Sequence, residues 1–377
     1  MSEQAPDCRR AFLTGGLVGA ASGIVAASAA GVLRRGGDDA PVADGKRRER
    51  VEWRLASSFP RTLDGIYGVA ERLSEAVAAM TGGAFRIRCH QAGELVPAAQ
   101  VMDAVQQGSA EIGQSAGYYY TGKNPALAFD TCIPFGLTAR QQNAWLAFAG
   151  GRELLRPVYA DFGIRSYSCG NTGAQMGGWF RAPIESAADL KGLRMRIPGL
   201  GGKAMDRLGV SVQNLAAGDI YPALERGAID ATEWVGPYDD EKLGFFEIAK
   251  NYYYPGWWEP GPSLSFMVSQ RAYDALSADY RAILDAAVEQ VAQTMMARYD
   301  VENPRALARL LDKGVQLRRF SDEILTEARA ASRSLVDDQA AADPVYRQIR
   351  DHWRAFAAES TRWLGSNELS YAAFAWA

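Results

Sequence analysis

Arg194 and Arg196 stand two residues apart in Asp189-Leu190-Lys191-Gly192-Leu193-Arg194-Met195-Arg196-Ile197-Pro198. Along a strand the side chains alternate, so the two arginines share one face while Leu193, Met195 and Ile197 share the other. Such a strand can lie on an apolar core and turn its arginines toward a cleft. One of the two can then hold a carboxylate through paired N–H donors, a geometry lysine cannot reproduce. Acid–base catalysis has less to draw on, since His90 and His352 are the only histidines. Cys8, Cys89, Cys132 and Cys169 form no CxxC and no Cys/His spacing, which argues against a zinc site or a redox pair. Phe85, Ile87 and Cys89 alternate as one strand face, so a buried thiol is expected, with a disulfide open in an oxidising compartment.

Gly199-Leu200-Gly201-Gly202-Lys203-Ala204 follows a strand-like run and opens a helix. It resembles a dinucleotide fingerprint only superficially, because no second strand carrying an acid lies at the right distance. A phosphate loop fails as well: Ile197 stands where the first glycine belongs and Ala204 where Ser or Thr belongs.

The elements that must position these groups are legible in outline. Ile66, Val69, Ala70, Leu73, Val77 and Met80 recur at helical spacing over 63–80, and Gly82-Gly83 stop the helix. Strands are expected at 51–56, 85–89, 110–114, 175–181 and 193–198. Helices are expected at 98–107, from about 202, at 220–226, at 272–297 and at 321–340. The alternation implies an open α/β sheet, in which ligands sit at the carboxyl ends of strands. A chain of 377 residues is long enough for two lobes with a cleft between them.

The charge balance, 41 basic against 44 acidic residues, argues against nucleic acid as a partner. A mildly acidic body suits an anion-binding protein only where cationic groups are concentrated in its cleft. At the start, Arg9-Arg10 precede an uncharged stretch from Ala11 to Leu33 that is rich in Gly, Ala and Ser, with an A-x-A site at Ala27-Ser28-Ala29. This reads as a twin-arginine signal peptide over 1–33, although Cys8 and Thr14 depart from the usual residues of the motif. A charged linker over 34–50 follows. The expected destination of the body is the periplasm.

Asp219-Ile220-Tyr221-Pro222-Ala223-Leu224-Glu225-Arg226-Gly227-Ala228-Ile229-Asp230-Ala231-Thr232-Glu233-Trp234, taken with the arginine strand before it, is similar to the paired signature of TRAP (tripartite ATP-independent periplasmic) transporter solute-binding proteins. Gly93-Glu94-Leu95-Val96 and the stretch from Ala104 to Gly113 look like the matching signature of the first lobe. The resemblance covers roughly 51–340. It implies a two-lobe periplasmic binding fold with a hinge, an interlobe cleft and long C-terminal helices, and no catalysis. The expected division is 51–173 and 236–260 in lobe I, 174–235 and 261–340 in lobe II, and a helical, aromatic tail over 341–377.

Gly173–Trp179, Glu233-Trp234 and Tyr252–Gly261 look like the subgroup that binds 2-oxo or 2-hydroxy acids together with a cation. The resemblance implies that Arg196 clamps the substrate carboxylate. It also implies that Gln175 through its amide oxygen, Glu233 through its carboxylate and Trp234 through its carbonyl hold sodium or calcium. Tyr120 is expected to donate to the substrate, though Tyr118, Tyr119 and Tyr120 adjoin and any of them could face the cleft. A cation removes the cost of placing Glu233 beside an anionic ligand in a dry cleft. Membrane permease subunits, supplied by a separate polypeptide, and a second copy of this chain, reached through the C-terminal tail, are the implied partners. Two other readings use the same residues: an exported metal-dependent enzyme acting on organic acids, and a ligand-binding sensor.

Overall fold

The computed structural model describes residues 49–376. The expected signal peptide and most of the linker therefore lie outside the described residues. Among the described residues eleven strands follow in chain order: β1 Val51–Ser57, β2 Phe85–His90, β3 Ile112–Ser115, β4 Ile164–Asn171, β5 Trp179–Phe180, β6 Arg194–Arg196, β7 Ser211–Gln213, β8 Ala231–Thr232, β9 Asn251–Tyr254, β10 Ser263–Ser269 and β11 Gln316–Arg319. They form two mixed sheets, one in each lobe. The first has the order β2-β1-β3-β10-β4 and the second β11-β9-β5-β8-β6-β7.

In the first lobe the pattern is the expected one. Phe85 and Ile87 are buried while Arg86 and Arg88 are exposed, and β2 lies parallel to β1. The helix Gly68–Met80 buries Val69, Ala70, Leu73 and Val77 against this sheet and ends before Gly82 and Gly83, both at positive φ. Cys89, Cys132 and Cys169 are free thiols.

Strand membership departs from the expected division in two places. Residues 251–254 join the second sheet, where β9 pairs with β5 and β11, whereas 263–269 join the first, where all seven residues of β10 are buried between β3 and β4. The strands therefore cross between sheets at 171–179, at 254–263 and through the helix Ala278–Asp312, and none crosses near 235. The physical reason is that β10 reads as a continuous apolar run that either sheet could bury, and only pairing geometry decides which. Ala278–Asp312 is 35 residues long, about 50 Å at the helical rise, and runs through Pro304. It packs on β4, on Gly68–Met80 and on the helix Pro237–Leu243, and so links the lobes. The expected helix from 272 is broken at Leu276, and Ser277 caps the second piece by accepting the Tyr280 N–H.

The tail divides in two. The helix Pro344–Leu364, capped by the Asp343 carboxylate, sends Tyr346, Ile349 and Trp353 into the first-lobe core beside Phe129. Beyond it, Gly365–Leu369 and Ser370–Ala375 bury nothing and leave Phe374 88% and Trp376 83% exposed.

Candidate functional site

β6 carries both arginines and the structure separates them. Arg194 lies at the exposed end and forks onto Asp230, with Nε 2.8 Å from Oδ2 and Nη2 2.6 Å from Oδ1. Arg196 is 2% exposed. Its Nε donates to the Leu215 carbonyl at 3.1 Å and its Nη1 to the Glu233 carbonyl at 2.9 Å, and the same Nη1 pairs with the Glu233 carboxylate. Trp234 stacks against the guanidinium, with 5.0 Å from its carbon to the ring centroid.

Glu233 and Trp234 arrive here because β8 runs parallel to β6, with Arg196 opposite Thr232. The site is thus at the carboxyl ends of parallel strands, as expected of an α/β sheet. The loop after Trp234 is held by Asp240. Its Oδ1 accepts the Val235 N–H at 3.3 Å, and its Oδ2 accepts Trp179 Nε1–H at 2.9 Å and the Tyr252 hydroxyl at 2.7 Å. Trp179 and Tyr252 stack at 3.9 Å.

Gln175 lies in a loop, since the expected strand 175–181 shortens to Trp179–Phe180. Its Nε2 donates to Thr172 Oγ1 at 3.1 Å, and its buried Oε1 has no partner. Its own N–H donates to the Glu259 carbonyl at 3.1 Å, and its carbonyl accepts the Gly256 N–H at 3.0 Å. A Cβ at Gly256 would come within 2.5 Å of that carbonyl, so the approach of the two loops requires glycine.

The structure brings Arg196, Gln175, Glu233 and Trp234 together, and does not bring Tyr120 to them. The Tyr120 hydroxyl is 3.0 Å from Ser115 Oγ and accepts the Met102 N–H at 3.2 Å, with its ring in the first-lobe core. Residues 117–120 form a 3-10 turn, in which successive side chains point about 120° apart. Tyr118 and Tyr119 face the site instead. Tyr119, Arg196 and Trp234 are shared by two adjoining cavities. One, of about 70 Å³, also reaches Ser58 and Leu215; the other, of about 10 Å³, also reaches Gln175 and Val235. A larger groove of about 350 Å³ beside Phe148 and Val288 shares no residue with them.

Glu259 escaped the sequence reading. It is buried, its Oε2 has no partner, and its neighbours include Tyr118 and Gln175. The available signal was an acid set in the aromatic, turn-forming run Trp257-Trp258-Glu259-Pro260-Gly261, where a charge is expensive unless it is used. Burial raises Glu259 to about 7 against the pull of Arg196. Burial, with repulsion from Glu259 and Asp240, also pushes Glu233 up against the attraction of Arg196. Arg196 stays cationic, since its acidic and phenolic neighbours outweigh its own desolvation.

One guanidinium therefore faces two carboxylates, with two acceptor oxygens, Gln175 Oε1 and Glu259 Oε2, left unpaired and buried. Buried acceptors of this kind are normally satisfied. An all-oxygen set of this composition fits a hard cation. Among the described residues no cluster of three or more His, Cys, Asp or Glu forms a metal cage, so a cation here would draw on amide, carbonyl and ligand oxygens as well.

Residues 57–343 match the profile of bacterial extracellular solute-binding proteins, family 7. A monocarboxylate 2-oxoacid-binding periplasmic protein of Nostoc sp. is 50% identical over 325 residues, 86% of this chain and 89% of its own length. A TRAP transporter solute-binding protein of Bordetella bronchiseptica is 44% identical, covering 87% of this chain and 98% of its own, with a TM-score of 0.86; it was solved as a mixed-occupancy dimer with copurified calcium and picolinate. A TRAP periplasmic solute-binding protein of Pseudoalteromonas atlantica, with bound sodium and pyruvate, is 38% identical over 86% of this chain and 98% of its own, with a TM-score of 0.83.

Proposed function

The chain belongs to the family-7 bacterial extracellular solute-binding proteins, which serve TRAP transporters, and from that premise we propose that it captures a small 2-oxo monocarboxylate such as pyruvate together with a cation. The observation that carries this reading is the buried Arg196 at a cavity whose other polar wall, Gln175, keeps an unpaired oxygen. Arg196 takes the carboxylate. Gln175, Glu233 and the Trp234 carbonyl would hold the cation, whose charge would offset the carboxylates brought together there. Tyr119, not Tyr120, takes the tyrosine role, because it is the one that lines both cavities. A cavity of about 70 Å³ is far below the roughly 300 Å³ at which drug-sized sites begin, which favours an acid of few heavy atoms. The lobes close over it by hinge motion about the crossings at 171–179 and 254–263. The role is that of a receptor delivering its ligand to membrane permease subunits, not of a catalyst. A thermal-shift screen of small monocarboxylates, repeated with sodium and with calcium, tests the reading: 2-oxo acids should raise the melting temperature most, and only with a cation present. A screen in which sugars or amines shift it and 2-oxo acids do not would refute it.

The family places the working protein in the periplasm, and the twin-arginine route is our proposal for how it gets there. Changing Arg9 and Arg10 to lysine should leave precursor in the cytoplasm; normal periplasmic levels of the double variant would refute that route.

We also propose a homodimer made by the exposed end of the tail, since Trp363, Leu369, Tyr371, Phe374 and Trp376 are large apolar residues that each stay more than half exposed within 14 residues of chain. Truncation at Asp343 would strip Tyr346, Ile349 and Trp353 from the core. The informative cut is at Gly365, which should turn dimer into folded monomer by light scattering. A monomeric full chain at micromolar concentration, or a truncated chain that stays dimeric, would refute the role of the tail.

A further inference from the structure

We infer that Asp64 is a positioning residue of ligand capture: a first-lobe carboxylate that clamps the helix following the site and thereby slows ligand release. The inference rests on the receptor reading above, in which the lobes close by hinge motion, and adds to it a group that lines neither cavity.

Asp64 lies in the turn between β1 and the helix Gly68–Met80, beyond the carboxyl end of a first-sheet strand. Three donors converge on it. Lys242 Nζ pairs with its Oδ1 and Arg298 Nη2 with its Oδ2, while the Tyr238 hydroxyl donates to Oδ2 at 3.1 Å. Tyr238 also accepts from Arg298 Nη2 at 3.3 Å, and Lys242 Nζ lies 3.5 Å from the centroid of its ring. Tyr238 and Lys242 belong to the helix Pro237–Leu243, which begins just beyond Trp234 and connects β8 to β9, both in the second sheet. Arg298 belongs to Ala278–Asp312, the long helix that links the lobes.

The helix Pro237–Leu243 is held to the long helix without Asp64. The Tyr299 hydroxyl donates to Asp239 Oδ2 at 2.7 Å, Asn303 Oδ1 accepts the Tyr238 N–H at 3.0 Å, and Glu241 pairs with Arg309 at 2.7 Å and with Lys313 at 2.8 Å. What Asp64 adds is a tie to the first lobe. The turn that carries it lies directly on the long helix, since a Cβ at Gly65 would come within 2.7 Å of the Tyr299 ring. In the clamped helix, Asp240 holds the Val235 N–H at 3.3 Å, so the helix cannot shift without moving the loop that bears Trp234, a wall of both cavities.

Against its own desolvation, Lys242 and Arg298 hold the Asp64 carboxyl below the usual carboxylate range, so it is ionised at neutral pH. Replacing it with a neutral group leaves two cations facing each other beside Tyr238. The three charged side chains stay 27–38% exposed, so solvent screens the pairs and the effect is moderate. A contact made only between closed lobes lengthens residence and leaves the encounter with the ligand unchanged.

The test uses the purified full chain with saturating calcium, and stopped-flow tryptophan fluorescence of pyruvate binding and release. Asp64→Asn should speed release by about 3- to 30-fold, the range for one member of a coupled charge network, and change association by less than about twofold. The melting temperature of the ligand-free variant should stay within about 2 °C of wild type. Asp64→Glu, which keeps the charge, should release more slowly than Asp64→Asn. Lys242→Met should speed release in the same direction, and serves if Asp64→Asn does not fold; the two together should cost less than the product of their separate effects. Release at the wild-type rate from Asp64→Asn overturns the clamp. So does a variant whose association slows and whose melting temperature falls together, since that marks structural support only; in both cases the receptor reading stands. Wild type that binds no 2-oxo acid with any cation overturns the receptor reading and the clamp with it.

Discussion

Arg196→Ala should weaken pyruvate binding by roughly 30-fold to several thousand-fold, the range that follows from about 2–5 kcal/mol for truncating one member of a buried charge pair. The size of the effect comes from burial. At 2% exposure the guanidinium has no water to stand in for it, so the ligand carboxylate would enter an apolar wall beside Glu233. Arg196→Lys keeps the charge but loses both the fork and the stacking on Trp234, and should recover only part of the loss. Far-UV circular dichroism separates this from unfolding, since Arg196 also ties Leu215 to Glu233. An alanine variant that folds and binds pyruvate at wild-type strength would remove Arg196 from the site.

The second large effect is expected at Glu233. Glu233→Gln keeps the shape and removes a carboxylate held 1% exposed against Arg196. As a proposed direct ligand it should cost at least as much cation affinity as outer-shell partners do, about 10- to 100-fold. Since binding free energies are reciprocal, the same substitution should shrink the factor by which pyruvate tightens the cation and the cation tightens pyruvate. Calorimetry of each component with and without the other reads that factor directly. A factor unchanged in Glu233→Gln would place the cation elsewhere.

How much of this was legible beforehand depended on the kind of information each feature needs. The alternation around Arg194 and Arg196 predicted a shared strand face, which is local, and β6 forms there. Which arginine is buried depended on Asp230 reaching back to cap the exposed one, a contact between strands that no spacing encodes. The tyrosine run could not be ranked for the opposite reason: three adjacent identical side chains on a tight turn do not all face one way, and composition does not say which turn inward. Glu259 was missed because a single buried acid has no periodic signature; only its unpaired oxygen beside Gln175 makes it conspicuous. The sheet exchange of β9 and β10 was equally hidden, because strand pairing between distant segments is decided by packing after the elements form. The tail needed both readings at once, with Tyr346, Ile349 and Trp353 in the core and Phe374 and Trp376 outside.

On the proposed reading, a buried arginine and a cation jointly capture a small 2-oxo acid. Titration of pyruvate into the chelator-stripped full chain in sodium-free buffer, with and without calcium restored, measures that dependence. A single saturable site is expected when calcium is present, and binding at least about tenfold weaker, or none, when it is absent, as linkage between the two ligands requires. Equal pyruvate affinity in the stripped and the restored protein would contradict it.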